Sequence, residues 1–497
     1  MFQRTVLLSS LKERKLASND LNILFLSSEI EGFIKTGGLA DVGRALPEEL
    51  AKLGNKIVAC LPYYSKVDQS YKKSKPIEFD FLLNHCDRYF AKAYLVEKNS
   101  IRFYLIEHEF FDLEGVYDNG YEAYEDNILR FSFFSKASLE LSKQVNFQPD
   151  IVHANDWQTA LVPFYLKEHY QFDAFFAHSK SILTIHNGAY QGKSNASWLH
   201  STGINPNYFT ADVFEDYGDL NMLKGGIYFA DKVNSVSDGY AQELREEETG
   251  HGLAYYFAKK GDDFSGITNG CDYGTWDPST DESLIANYDL GKITGKHKCK
   301  AHLQSNLGLP VIKKVPLFIN ISRLTDQKGH HFLIPALREF LQNPVQVAIL
   351  GSGDPKLCEQ LDQLQRDFPE KFSFTNGYSE ALSHQMEAAG DFFIMPSVFE
   401  PCGLNQIYSM RYGTLPIVRS TGGLKDTVIA LEEGNDKEAT GIAFEHCEVS
   451  DCLDALNRAN QLYYDLPVVF KRLQRTGLKK RFTWEDACKK YSALYAQ

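Results

Sequence analysis

Four groups of side chains in this 497-residue sequence have the types and spacing to bind an anion or handle a sugar. Two are glycine-pair loops. Lys35-Thr36-Gly37-Gly38-Leu39 follows the first apolar run, and Ser420-Thr421-Gly422-Gly423-Leu424 follows one of the last. A glycine pair at a strand-to-helix turn lets backbone N–H groups approach an anion closely. One Thr-Gly-Gly is common in tight turns. Two of them, one in each half of the chain, point to a single ligand held in a cleft between two similar domains.

The third group is Arg323 and Lys328, in Arg323-Leu324-Thr325-Asp326-Gln327-Lys328-Gly329, just past a strand-like run. An Arg fork and a Lys point charge on one strand-end loop suit phosphate oxygens. The competing reading is two solvated surface cations. The fourth group is Glu400-Pro401-Cys402-Gly403-Leu404, after another such run. Pro and Gly shape a turn, and the helix start behind it can present N–H groups to a phosphate. Glu400 can accept hydrogen bonds from ribose or sugar hydroxyls, or simply be a favourable charge at a helix start. Spacing leaves these two readings even. Polar residues also end two earlier runs: His186-Asn187-Gly188, followed by Tyr190-Gln191-Gly192, and Asp156-Trp157-Gln158, after the run that contains His153. Each also fits ordinary structural hydrogen bonding.

Other chemistries are poorly served. Gly-x-Ser-x-Gly is absent, so no serine-hydrolase elbow is indicated. No Asp-x-Asp falls in a strand-end loop and no metal-ligand spacing stands out, so no metal is expected. A bound diphosphate would have to be neutralised by Lys, Arg and helix N-termini. Gly351-Ser352-Gly353-Asp354 is half of a dinucleotide fingerprint without its third glycine, which makes hydride transfer a weak reading.

The elements that must position these groups are short apolar runs alternating with longer amphipathic stretches. The runs are 21–28, 56–61, 101–107, 150–155, 181–186 and 232–237 in the first half, and 317–322, 345–351, 372–375, 391–396, 415–419 and 441–444 in the second. Alternation of this kind predicts right-handed βαβ units and parallel sheets. The predicted fold is α/β, with two doubly wound, Rossmann-like domains facing a central cleft. Ligands of such sheets bind beyond the carboxyl ends of the strands, where the four groups fall. The predicted division is an N-terminal extension over 1–20, a first domain over 21–270, a connection over 271–316, a second domain over 317–481, and a final amphipathic helix over 482–497.

Composition narrows the partners. Charged residues at 24% and apolar ones at 43% are ordinary for a globular chain. A net charge of −13 argues against nucleic acid as the main partner, while leaving room for a nucleotide or a neutral polymer. The nine cysteines are scattered, without a Cys-x-x-Cys pair, which fits a reducing cytosol. No run reaches the length of a membrane span, and the first twenty residues do not read as a secretory signal.

Taken together the motifs resemble the bacterial glycogen synthases and plant starch synthases, family 5 glycosyltransferases with the two-domain GT-B fold. The resemblance runs from Leu21 onward. It includes Tyr124-Glu125-Asp126-Asn127, Arg130-Phe131, His153-Ala154-Asn155-Asp156-Trp157, Asn269-Gly270 and Trp276-Asp277-Pro278 besides the four groups. It implies transfer of glucose from ADP-glucose to the non-reducing end of an α-1,4-glucan, glycogen or starch-like, with retention and without a cofactor. It also implies roles. Lys35 lies by the diphosphate, the amides of Gly37 and Gly38 face the phosphates, and Asp41 binds substrate. Arg323 and Lys328 neutralise the leaving diphosphate, and Glu400 contacts the donor sugar. His186 and Asp156 line the donor glucose and acceptor side, Asn187 binds substrate, and Tyr378 packs against the base. Cys402, Gly403, Leu404, Thr421, Gly422 and Gly423 complete the substrate-binding set. The final helix returns to the N-terminal domain.

Two positions depart from the family pattern. Asn405 stands where Thr is common, and can still donate to a phosphate; Lys425 stands where Ala is more frequent, pointing to solvent or adding charge near the cleft. Other readings keep the fold but change the donor to UDP-glucose or change the acceptor, or make the chain a catalytically silent glucan-binding protein. The joint presence of Lys35, His186, Arg323, Lys328 and Glu400 argues against silence. The expected location is the cytoplasm, ahead of the plastid stroma.

Overall fold

The computed structural model describes residues 20–84, 86–120 and 122–497; the predicted extension falls outside them except for Asp20. The chain divides into two units. Unit 1 takes residues up to Val236, Ala241–Ile267 and Trp484–Gln497, and unit 2 takes Ser237–Tyr240 and Thr268–Thr483.

Unit 1 carries β1 (Asn22–Leu26), β2 (Lys56–Pro62), β3 (Ile77–Leu82), β4 (Arg88–Lys98), β5 (Ile101–Glu107), β6 (Ile151–Asn155), β7 (Lys180–Ile185), β8 (Lys193–Asn195), β9 (Glu215–Asp216), β10 (Asp219–Asn221), β11 (Lys232–Ser235) and β12 (Phe264–Gly266). Nine of them form one sheet in the order β12-β11-β7-β6-β1-β2-β5-β4-β3, and β8-β10-β9 form a small one. The apolar runs become its parallel strands: Ile23, Leu24, Phe25 and Leu26 of β1 are all fully buried, as strands covered on both faces must be. The β3–β4 and β4–β5 pairs are antiparallel. In β3, Phe79 and Phe81 are buried between exposed Glu78, Asp80 and Leu82. That alternation marks an edge with one wet face, so neither strand reads as a continuous apolar run.

Helix Trp484–Ala496 belongs to unit 1 and is joined to its sheet by buried polar groups. Tyr495 Oη lies 2.7 Å from His153 Nδ1, and His153 Nε2 lies 2.6 Å from Thr184 Oγ1. Thr184 donates to Asn234 Oδ1 at 2.7 Å, and Asn234 Nδ2 donates to Tyr491 Oη at 3.2 Å. Because the Thr184 hydroxyl donates to Asn234, it accepts from His153 Nε2–H, which leaves Nδ1 as the acceptor for Tyr495. His153 is therefore neutral, and burial lowers its pKa to about 3.

Unit 2 carries β13 (Leu317–Ile321), β14 (Gln346–Gly351), β15 (Phe372–Asn376), β16 (Phe392–Met395), β17 (Leu415–Arg419) and β18 (Ile442–Phe444), all parallel, in the order β15-β14-β13-β16-β17-β18. Alternate residues feed two cores. Phe318, Val347, Ile349, Phe392 and Ile394 enter one, while Leu317, Ile319, Ala348, Leu350 and Phe393 enter the other. This is the period-two alternation of a sheet covered on both sides. The stretch expected as a connection, 271–316, clusters with unit 2. It contributes helix Thr294–Asn306 and Trp276, whose ring stacks on His384 at 3.9 Å and on Tyr408 at 4.1 Å.

The parallel strands of each large sheet reverse their winding direction once. In unit 1 the neighbours at the reversal are β1 and β6, and in unit 2 they are β13 and β16. Ligands of open α/β sheets bind beyond the strand ends at such a reversal.

Candidate functional site

The unit 1 residues stand at that reversal. Beyond β1, Glu29 is buried and accepts hydrogen bonds from Thr36 and Gly37. Lys35 reaches the other way, its Nζ 2.9 Å from Glu31 Oε1 and 2.7 Å from Asp41 Oδ1. Burial lowers the pKa of the Lys35 ammonium, but Asp41 and Glu31 outweigh it and the pKa is raised, so the side chain stays charged. Gly38 opens helix Gly38–Lys52, and its N–H has no partner among the described residues. A Cβ at Gly37 or Gly38 would meet nothing within 4 Å. Packing therefore does not require glycine here, and the space is open to a ligand.

Asp156 follows β6 with φ 54°, a left-handed conformation unusual for an aspartate. Its Oδ1 accepts from the N–H of His186 at 2.6 Å and of Asn187 at 3.3 Å, which brings the ends of β6 and β7 together. Burial pushes the Asp156 carboxyl up to about 7 against the pull of those two N–H groups. His186 Nε2 lies 2.9 Å from Asn155 Oδ1, while Asn155 Nδ2 donates to Leu26 O at 2.8 Å. That second bond fixes the Asn155 amide, so His186 carries its proton on Nε2 and keeps Nδ1 as an acceptor. Burial lowers the His186 pKa to about 3.

In unit 2, Lys328 Nζ lies 2.5 Å from Glu400 Oε2, a pair whose side chains are 17% and 8% exposed. Ser397 Oγ donates to the same Oε2 at 3.0 Å. The two loops are also joined through their backbones, since Val398 N–H donates to Gln327 O at 2.8 Å. Arg419, at the end of β17, forks onto carbonyls of the Glu400 loop and its neighbour: Nε to Ser397 O at 2.8 Å, Nη2 to Val398 O and Nη1 to Glu445 O at 3.1 Å. Arg323 is exposed and makes no hydrogen bond or ion pair with the described residues. Tyr378, two residues past β15, is 76% exposed.

The second glycine pair behaves differently from the first. Gly422 has φ 44°, and a Cβ on Gly423 would lie 2.3 Å from Cys402 O. Gly423 N–H donates to Glu400 O at 3.0 Å, and buried Thr421 donates its N–H to Arg419 O at 2.9 Å. Of the two amides expected to face phosphates, Gly37 and Gly38, that of Gly38 has no protein partner among the described residues. The Gly423 amide is committed to Glu400, and the Gly37 amide to Glu29 at 3.1 Å. Asn405 Nδ2 likewise donates to Ile321 O at 2.7 Å, which takes one of the hydrogens expected for a phosphate. Lys425 is exposed, Leu404 and Gly403 are half-buried, and burial pushes the Cys402 thiol up to about 12, where it stays protonated.

Sequence reasoning passed over Glu29, Tyr117, Ser397 and Arg419, which hold the loops in shape. Arg419 carried one signal, a charge ending a β-branched run. The others carried none, because their partners are distant in sequence or indistinct in type.

Residues 22–259 match the family model for the starch synthase catalytic domain, and residues 308–465 match that for glycosyl transferases group 1. The glycogen synthase of Aeromonas hydrophila subsp. hydrophila is 43% identical over 483 residues, spanning 97% of this chain and 99% of that protein. That of Photobacterium profundum is 41% identical over 493 residues, spanning 97% and 96%. Among solved structures, the catalytic domain of starch synthase IV from Arabidopsis thaliana, bound to ADP and acarbose, is 31% identical with a TM-score of 0.87, covering 96% of this chain and 99% of that one. Sucrose-phosphate synthase from Thermosynechococcus elongatus, 17% identical at a TM-score of 0.59 over 95% and 98%, shares the fold.

Proposed function

The chain belongs to the glycogen and starch synthase family of glycosyltransferases, and from that premise we propose how its residues work. It transfers glucose from ADP-glucose to the non-reducing end of an α-1,4-glucan, with retention, and releases ADP. The observation that carries this reading is the match to the A. hydrophila glycogen synthase at 43% identity over 97% of the chain. The ADP and acarbose held by starch synthase IV support the nucleotide and the glucan.

Breaking the donor's glycosidic bond leaves negative charge on a diphosphate and positive character on the sugar ring. Cations fixed in advance lower that barrier most, because nothing has to reorganise as charge develops. Lys328 meets this requirement: Glu400 and the joined loops hold its ammonium in place. Arg323, unpartnered, is recruited by the phosphate itself. In unit 1, Lys35 and the free N–H of Gly38 suit a diphosphate, and Gly37 contributes by its missing side chain. Glu400 orients the donor sugar through its hydroxyls. His186 is neutral across the working pH range, so its Nδ1 accepts from a sugar hydroxyl and it is no general acid. Asp156 has one oxygen tied to two backbone N–H groups, which suits shaping of the sugar site better than nucleophilic attack. Retention then follows from acceptor attack on the face the diphosphate leaves, with the phosphate taking the acceptor proton. Tyr378 packs against the base.

The test is glucan extension with glycogen as acceptor, comparing ADP-glucose and UDP-glucose in chelator, with Lys328→Ala alongside. Extension from ADP-glucose that Lys328→Ala abolishes supports the donor and the cation role together. Extension only from UDP-glucose overturns the donor, and glycogen binding without transfer overturns the enzyme.

Among the described residues no helix is long and apolar enough to cross a membrane. We place the reaction in the cytoplasm, with the nine free thiols in support; activity recovered in a membrane or secreted fraction would refute this.

A further inference from the structure

We infer that Glu29 is a positioning residue for donor binding, fixing the shape of the 35–38 loop and tying it to the segment around Tyr117. The inference rests on the reading that this loop meets the diphosphate of the donor.

Glu29 lies three residues past β1 and is 3% exposed. A buried carboxylate is costly unless its oxygens are satisfied. Among the described residues no Lys or Arg pairs with it, and four hydrogen-bond donors do the work instead. Oε2 accepts from the N–H of Thr36 and from the N–H of Gly37 at 3.1 Å. Oε1 accepts from Thr36 Oγ1 at 2.6 Å and from Tyr117 Oη at 2.6 Å. The Tyr117 hydroxyl also lies 2.7 Å from Ser28 Oγ, and Ser27 Oγ donates to Glu29 O at 2.6 Å. Lys35, the next residue along, is held from the other side by Glu31 and Asp41. The loop is thus pinned at three successive residues by three carboxylates. What is left unpinned is the N–H of Gly38 and the open space over both glycines, the parts a phosphate would use.

This arrangement separates shape from charge. Glutamine at position 29 can reproduce the shape. Its Oε1 accepts both backbone N–H groups, while its Nε2 donates to the hydroxyls of Thr36 and Tyr117, which turn to accept. Alanine leaves two backbone N–H groups without a partner and lets the loop swing.

The test uses the full chain with ADP-glucose and glycogen, measuring KM for each substrate, kcat, and ADP affinity by calorimetry. Glu29→Ala is expected to raise donor KM and the ADP Kd about tenfold while the KM for glycogen stays put, and Tyr117→Phe to raise them about threefold. Glu29→Gln is expected to restore most of the affinity lost in Glu29→Ala. Donor KM and ADP Kd unchanged in Glu29→Ala, or glutamine as damaging as alanine, overturns the inference. Should Glu29→Ala fail to fold, Tyr117→Phe decides: an unchanged ADP Kd overturns it. Lys35→Ala separates the layers. If it leaves donor KM unchanged, the reading that the loop meets the donor has failed. If it raises donor KM while the Glu29 and Tyr117 variants do not, the inference alone has failed.

Discussion

The two Thr-Gly-Gly segments follow parallel strands, β1 and β17, and each opens a helix, Gly38–Lys52 and Gly422–Thr427. Around the first pair there is room. Gly37 is extended at φ −157°, and neither glycine's missing Cβ would touch anything. Around the second there is none. Gly422 is left-handed, and a Cβ on Gly423 would run into the O, Cα and C of Cys402 at 2.3, 2.4 and 2.7 Å. The same tripeptide thus answers two demands. In unit 1 the absent side chain faces open space, and in unit 2 it makes room for the protein's own Glu400 loop.

That contrast can be broken by substitution. Gly423→Ala should be the most damaging change, since two backbones must separate. Destabilisation of about 3 kcal/mol is expected from overpacking of this severity, with activity lost, as read by calorimetric melting and assay. A melting point like the parent's would show that both pairs are open. Lys328→Ala should come next, lowering kcat about 10²- to 10³-fold as a preorganised charge is removed and Glu400 is left unpaired; a change confined to KM would move Lys328 out of the reacting site. Gly38→Ala sharpens the comparison from the other side. Stability should stay within about 0.5 kcal/mol of the parent, while donor KM rises about tenfold. A drop in stability like that of Gly423→Ala would erase the difference between the loops.

The smallest expected effect concerns pH. Burial holds the Asp156 carboxyl at about 7 in the folded chain, against about 3.9 when unfolded. Between these values the folded chain keeps a proton that the unfolded chain has released, so this group's contribution to stability falls as pH rises. Asp156→Asn keeps an oxygen for the two N–H groups and removes the titration. Its melting temperature should gain on the parent's by about 2–4 °C between about pH 5 and about pH 8. A constant difference would mean that Asp156 ionises normally.

Much of this was legible because strands buried on both faces leave continuous apolar runs in the sequence, and ligands of parallel sheets meet the residues just beyond them. Lys35, Asp156, His186, Arg323 and Glu400 were singled out by position, and the structure places them beyond β1, β6, β7, β13 and β16. Strands β3 and β4 were not found, because a half-wet edge alternates. The pairing of Lys328 with Glu400 joins residues 72 positions apart, and that of Tyr117 with Glu29 joins residues 88 apart. Local pattern says nothing about partners at such range. The two glycine pairs show the same limit, since what separates them is a neighbour contributed by Cys402.

The polar chain from His153 through Thr184 and Asn234 to Tyr491 and Tyr495 bears on the order of events at the ribosome. Domains generally fold as they are synthesised, the N-terminal one first, at about 5–20 residues per second. Unit 1 cannot finish in that order. When Ile267 has been made, its sheet still lacks the helix that satisfies His153 and Asn234, and roughly 200 residues of unit 2 must be translated before Trp484 appears. For about 10–40 s His153 Nδ1 and Asn234 Nδ2 of the earlier unit lack their tyrosine partners and face water, while the later one has all of its own strands. The first unit begun is the last one completed.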